Sequence, residues 1–153
     1  ILMKPLAILN DLAFQELRKG SSMPLHAIPR PKYNDSSANA LTKAIIKFIE
    51  LQGYQAERIS STGRYIDTKR TKTNILGQTI TIGSGRYIPG TSTNGTADIS
   101  ATIKGKSIKI EVKHGQDRQS EAQKKYQASI EKSGGVYFIA KNFDEFYNFF
   151  FTI

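Results

Sequence analysis

A chain of 153 residues with 39% hydrophobic content is long enough to bury the core of one domain. It has no cysteine, which excludes disulfides, thiolate zinc sites and cysteine nucleophiles, and its only histidines, His26 and His114, argue against a histidine-rich metal site. Twenty-two Lys and Arg against 13 Asp and Glu give a formal charge of +9, which favours polyanionic partners: nucleic acid first, an anionic membrane or plain solubility otherwise.

No apolar run reaches membrane-spanning length. The apolar opening to Leu12 is broken by Lys4, Asn10 and Asp11 and makes a poor secretory signal, so a soluble, cytoplasmic protein with no membrane partner is expected. Leu6, Leu9, Leu12, Ala13 and Leu17 fall near helical spacing and predict a helix over 5–19, stopped by Gly20. Residues 21–35, with Pro24, Pro29 and Pro31, read as an extended linker whose Arg30 and Lys32 are solvated rather than phosphate-bound. The expected division is therefore an N-terminal helix and basic linker over 1–35, and the main domain over 36–153.

Ser36 or Ser37 caps a second helix to about Gln52, with Leu41, Ile45, Phe48 and Ile49 on one face and Gly53 after it. Tyr54 to Ser60 reads as a strand. The Thr-, Gly- and Ser-rich stretch from Ser61 to Gly95 holds short β-prone runs at Ile75 to Ile82 and Tyr87-Ile88 and predicts a hairpin and mobile loops. Its basic residues Arg64, Lys69, Arg70, Lys72 and Arg86 make it the expected place of nucleic-acid engagement. Gly83-Ser84-Gly85 does not complete a P-loop, which disfavours nucleoside triphosphate hydrolysis.

The strongest pattern follows. Ile99, Ala101 and Ile103 alternate with Asp98, Ser100, Thr102 and Lys104, and Ile108, Ile110 and Val112 alternate with Ser107, Lys109, Glu111 and Lys113. This predicts a hairpin with one apolar and one polar face. A Gly105-Lys106 loop would pair Lys104 with Ser107, making Asp98 and Glu111 diagonal neighbours beside Lys113. Asp117 is expected to cap a third helix over 118–132, ended by Gly134-Gly135. Val136 to Ala140 reads as a buried strand, and Asn142 with Glu145 as the capping box of a last helix bearing Phe143, Phe146, Tyr147 and Phe150. Phe149 and Phe151 point off that stripe, where they could serve a homodimer interface.

Two carboxylates on one rigid face can hold Mg²⁺, with the Val112 carbonyl as a further ligand. Such an ion polarises a phosphate and acidifies its water, while Lys113 orients the water or stabilises the transition state. The plainer alternative is a solvated hairpin face with a weak Asp98–Lys113 pair. On the third helix, Gln119, Gln123, Tyr126 and Ile130 share a face. Gln123 is expected to bond Glu111 or a metal water, Tyr126 a sugar or phosphate, and Ile130 the core. Arg118, Lys124, Lys125 and Lys132 suit phosphates or a solvated face equally.

Gly95-Thr96-Ala97-Asp98, Glu111-Val112-Lys113, Ser120-Glu121-Ala122-Gln123 and Gly134-Gly135 before an apolar strand together resemble the PD-(D/E)XK nucleases. Within them the pattern is most similar to the virus-type replication-repair nuclease family (VRR-NUC), over roughly Asn39 to Phe150. The resemblance implies an α/β fold with a restriction-endonuclease-like core, a central mixed sheet flanked by helices. It also implies Mg²⁺ or Mn²⁺ dependence and cleavage of DNA, with junctions or flaps as candidate substrates and a phage or mobile element as the source. Asp98 and Glu111 match the family's metal carboxylates, Lys113 its catalytic lysine and Gln123 its helix glutamine. Ala97 stands where the family has proline. Asn39 stands where it has an acid early in the first core helix, which favours one metal over two. A non-catalytic nucleic-acid-binding domain and a ribonuclease remain the alternatives.

Overall fold

Proline at the first helical position and Arg18 and Lys19 in the last turn suit the first helix, α1 (Pro5–Lys19), of the computed structural model, which describes residues 3–60, 63–90 and 93–153. The second helix, α2 (Ala38–Leu51), is capped by Ser37, whose hydroxyl accepts a hydrogen bond from the Ala40 N–H at 3.2 Å. Its buried stripe of Leu41, Ala44, Ile45, Phe48 and Ile49 follows the expected spacing. After Gly53 the chain enters strand β1 (Gln55–Arg58).

The chain forms two compact units, Ile1–Ile59 with Gly95–Ile153, and Ser60–Asn94. In the second, strand β2 (Arg64–Asp67) pairs antiparallel with β5 (Gly85–Ile88), and β3 (Arg70–Thr73) with β4 (Thr79–Ile82). Of the expected β-prone runs, the first forms β4 only from Thr79, with Ile75 and Leu76 in the β3–β4 turn, and Tyr87-Ile88 lies in β5. None of the described residues of this unit is buried.

In the first unit, β1 joins β6 (Ile99–Ile103), β7 (Lys106–Val112) and β8 (Val136–Ala140) in a mixed sheet of order β1-β6-β7-β8, with only β7–β8 parallel. The β6–β7 register differs from the expected one. Ile103 pairs with Lys106 and Ile99 with Ile110, so the loop is Lys104-Gly105, not Gly105-Lys106. Both loop residues have positive φ, 49° and 76°, as a type I′ turn requires, and that turn matches the strands' right-handed twist. The change in pairing is two residues, so each side chain keeps its face.

Helix α3 (Glu121–Lys132) starts later than expected. Ser120, not Asp117, is its cap: the Ser120 hydroxyl accepts from the Gln123 N–H while the Gln123 side chain accepts from the Ser120 N–H. This reciprocal box satisfies two helix-end donors at once, which a lone Asp117 cannot do. Helix α4 (Phe143–Thr152) is capped by Asn142 as expected.

Ile99, Ala101, Ile103, Ile108, Ile110 and Val112 form the apolar sheet face, packed with the buried residues of α1, α2 and α4. Phe48 lies edge-on to Phe143, Phe146 and Phe150 with ring centroids 5.1–6.1 Å apart. Phe149, expected at a dimer surface, stacks on Phe138 of its own chain at 3.9 Å, while Phe151 is exposed. Among the described residues no helix is long and apolar enough to cross a membrane.

Candidate active site

The far end of the β6–β7 hairpin gathers the charged groups. Alternation puts Glu111 and Lys113 on the face opposite Val112, and a polar strand face would ordinarily meet water. Here it does not: Glu111 is 2% exposed and Lys113 7%. Gln123, in the first turn of α3, donates to Glu111 Oε1 at 2.5 Å, so α3 closes over the carboxylate. Gly95 makes that closure possible. A Cβ there would collide with the backbone of Ala122 and Gln123, and its φ of +82° is in the left-handed region.

Continuing the observed register sets Asp98 directly opposite Glu111, rather than diagonal to it. Asp98 Oδ2 accepts from the Val112 N–H at 2.9 Å, which fixes the carboxylate against the strand end. Val112 thus meets Asp98 through its N–H; β7 lies between β6 and β8, so the residue ends an interior strand instead of lining a sheet edge. The Lys113 ammonium lies 3.0 Å from Glu111 Oε1 and 3.3 Å from Asp117 Oδ2. The Tyr137 hydroxyl donates to Glu111 Oε2 at 3.4 Å.

Burial pushes the Glu111 carboxyl above its ordinary value; the Lys113 hydrogen bond opposes this and the Asp98 charge adds to it. Burial pulls Lys113 down, but its hydrogen bond and charge pairing with Glu111, and then with Asp117, more than compensate and leave it raised. Burial and the Glu111 charge hold the Tyr137 hydroxyl protonated far above the usual tyrosine range. The site thus sets two opposed carboxyl groups, Asp98 and Glu111, beside the Lys113 ammonium.

That donor set suits a hard divalent cation. Two opposed carboxylates supply anionic oxygens, and their mutual repulsion is what a cation relieves. Among the described residues no group of three or more His, Asp or Glu side chains is placed to hold a metal ion.

Asp98, Glu111, Lys113 and Gln123 are thus brought together. Tyr126 is half-buried edge-on to Tyr137, at 6.3 Å, with its hydroxyl raised by burial. Arg118 and Lys125 are exposed, and Lys124 pairs with Glu121 at 2.8 Å. Arg86 belongs to β5 in the other unit. Asn39, in the first turn of α2, accepts from Arg58 Nη1 at 2.6 Å. Arg58 pairs with Ile99, and the Ile59 N–H donates to the Asp98 carbonyl, so Arg58 stands one residue from the carboxylate strand position.

Tyr137 was not singled out from the sequence, and Asp117 was singled out only as a helix cap. A tyrosine within an apolar strand signals a hydroxyl that needs a buried partner, and Glu111 is that partner here. Asp117 carried a signal, but for capping. No protein-family model matches the chain, and no curated protein matches it.

Proposed function

We propose that the chain is a Mg²⁺- or Mn²⁺-dependent endonuclease that hydrolyses phosphodiester bonds in DNA, built on a PD-(D/E)XK core of the virus-type replication-repair kind. The observation that carries this reading is the opposed Asp98 and Glu111 pair under α3, with the Lys113 ammonium 3.0 Å from Glu111. Asp98 and Glu111 would hold the ion, with the Val112 carbonyl as a candidate third ligand. When bound, the ion supplies Lewis-acid polarisation of the phosphate, an ionisable water and neutralisation of the leaving oxygen.

The remaining work falls to the chain's own groups. Gln123 and Tyr137 fix the Glu111 carboxylate, and the Val112 N–H fixes Asp98. Lys113, charged at every physiological pH, orients the attacking water and offsets charge on the phosphate oxygens. Within the first unit, Arg118, Lys125 and Tyr126 are the expected phosphate contacts; Arg86 is a candidate phosphate contact of the second unit taken by itself. Asn39, bonded to Arg58 and carrying no charge, favours a single ion.

Labelled duplex, flap, four-way junction and single-stranded DNA, with RNA alongside, test the proposal in Mg²⁺, Mn²⁺ or EDTA. Metal-dependent cutting that Asp98→Ala and Glu111→Ala abolish is expected, and full cutting by Glu111→Ala would refute the assignment. The Asn39–Arg58 contact also favours a second reading, a nucleic-acid-binding domain without catalysis. Salt-sensitive binding that Mg²⁺ leaves unchanged, with no cutting in any metal, would establish it.

A further inference from the structure

The proline segment read as a solvated linker is instead fastened to the fold. The Asn10 side chain grips Tyr33 from both sides, accepting from its N–H at 2.7 Å and donating to its carbonyl at 3.1 Å. The Arg30 guanidinium lies over the Phe14 ring at 4.7 Å, Ile28 is buried, and Asp35 accepts from the Phe143 N–H at 3.0 Å. Held in this way, the segment forms one wall of a cleft of about 500 Å³ whose other walls are the end of α1 and the start of α2.

The cleft's chemistry is one-sided. Arg30, Lys32 and Lys43 line it and no carboxylate does. Lys32 and Lys43 have no ion-pair partner among the described residues. The first turn of α2, which opens into it, carries no acid, so the helix's positive end adds to the field. Pro31 and Tyr33 supply apolar surface between the cations. Asn39 on the rim bonds Arg58, and Arg58 lies beside the strand that carries Asp98. The Asn39–Arg58 bond and the Arg58–Ile99 pairing therefore link the rim of the cleft to the strand end where Asp98 stands.

We propose that this cleft holds the sugar–phosphate backbone of a nucleic-acid strand flanking the cut site, its phosphates on Lys32, Lys43 and Arg30 and a sugar against Pro31 and Tyr33. The inference rests on the nucleic-acid-directed reading above, and it assigns the strand's path on the first unit. A run of spaced, unpaired cations beside apolar surface suits repeating phosphates separated by sugars.

Fluorescence anisotropy in EDTA, with a labelled single strand titrated from 50 to 200 mM salt, tests it without requiring catalysis. Each phosphate contact in a single strand contributes about 0.7 to the log–log salt slope. The Lys32→Ala/Lys43→Ala double variant should thus lower the slope by about 1.4, so its affinity loss over that fourfold salt range is about sevenfold smaller than wild type. Lys106→Ala, at the opposite end of β7 from Glu111, is a control for loss of a lysine away from the cleft and should leave the slope unchanged. Both lysines are exposed and unpaired, so the double variant should melt as wild type does. A wild-type slope in the double variant of a chain that binds or cuts DNA would overturn the cleft assignment alone. A wild type that binds no nucleic acid would overturn both readings. Equal loss of affinity for a mononucleotide and for the strand would make the cleft a free-nucleotide site and refute the strand path.

Discussion

Lys113→Met removes the ammonium held against Glu111 while keeping a side chain of similar length. At 3.0 Å the pair's attraction is about 5 kcal/mol at an effective dielectric constant of about 20. Desolvation of both groups offsets much of this, and the cost of the substitution is instead that of a buried carboxylate left unpaired, about 3–5 kcal/mol. Gln123 and Tyr137 still hydrogen-bond Glu111, and its raised carboxyl takes a proton more readily than most. A net loss of about 2–3 kcal/mol near neutral pH follows, or a fall in Tm of roughly 4–12 °C for a chain of this size. The pH dependence has a definite sign. A carboxyl raised in the folded state favours folding below its unfolded value, and that contribution is lost as pH rises through the folded value. The damage should therefore be smaller at pH 5 than at pH 7.5. Millimolar Mg²⁺ should restore part of the loss and raise the variant's Tm by more than it raises that of wild type, because the ion replaces the missing charge. Cleavage should be lost in either case. Thermal unfolding by circular dichroism, in EDTA and in Mg²⁺ at both pH values, reads all of this. An unchanged Tm in EDTA would show that the pair contributes nothing; equal Mg²⁺ shifts in the two proteins would remove Glu111 from the metal site.

Gly95→Ala should destabilise by about 1–3 kcal/mol and lower cleavage, because its Cβ would displace the turn of α3 that carries Gln123; chemical denaturation with a parallel activity assay checks both. Asn39→Asp should pair with Arg58, add less than about 1 kcal/mol, and leave one Mg²⁺ per chain by calorimetry. Two ions per chain would show that Arg58 does not hold that side chain. Lys104→Asn should stabilise by about 0.5 kcal/mol, since Asn tolerates the left-handed conformation at a cost about 1 kcal/mol below that of Lys while the exposed Lys104 bond to the Ile153 carbonyl is lost. Were Gly105-Lys106 the loop, position 104 would lie in a strand and the same change would destabilise.

The sequence was legible where burial imposes a period. The first helix, with Pro5 at its start and Gly20 after it, and the strand Val136–Ala140 lie where the apolar spacing puts them. The two faces of the β6–β7 hairpin were equally plain. Its register was not, because period-two alternation is blind to a shift of two residues, and nothing about Lys104 announces a positive φ. Strands β2 and β3 left no mark for a related reason: none of the described residues around them is buried, and alternation reports burial, not pairing. In the site, the charged hairpin residues and the Gln123 bond to Glu111 were visible, while Tyr137 and the Ser120 cap were not. Tyr137 lies 26 positions from Glu111, and Ser120 displaced Asp117 from its expected cap by a box that needed Gln123 as well.

The charge of the site runs against that of the chain. Counted formally, Asp98, Glu111 and Asp117 against Lys113 give the site minus two (three minus one), in a protein of formal charge +9. A field of that overall sign draws a polyanion, yet within a Debye length of about 8 Å the carboxylates repel the phosphate that would be cut. A solvated polar hairpin would carry no such conflict, and it would not bury Glu111 to 2% exposure under a helix. On the proposed reading a divalent ion cancels the two charges and turns the repulsion into a bridge. Metal and DNA must then bind with mutual help. By linkage, whatever factor Mg²⁺ adds to DNA affinity, DNA adds to Mg²⁺ affinity, and both gains vanish together when either carboxylate is removed.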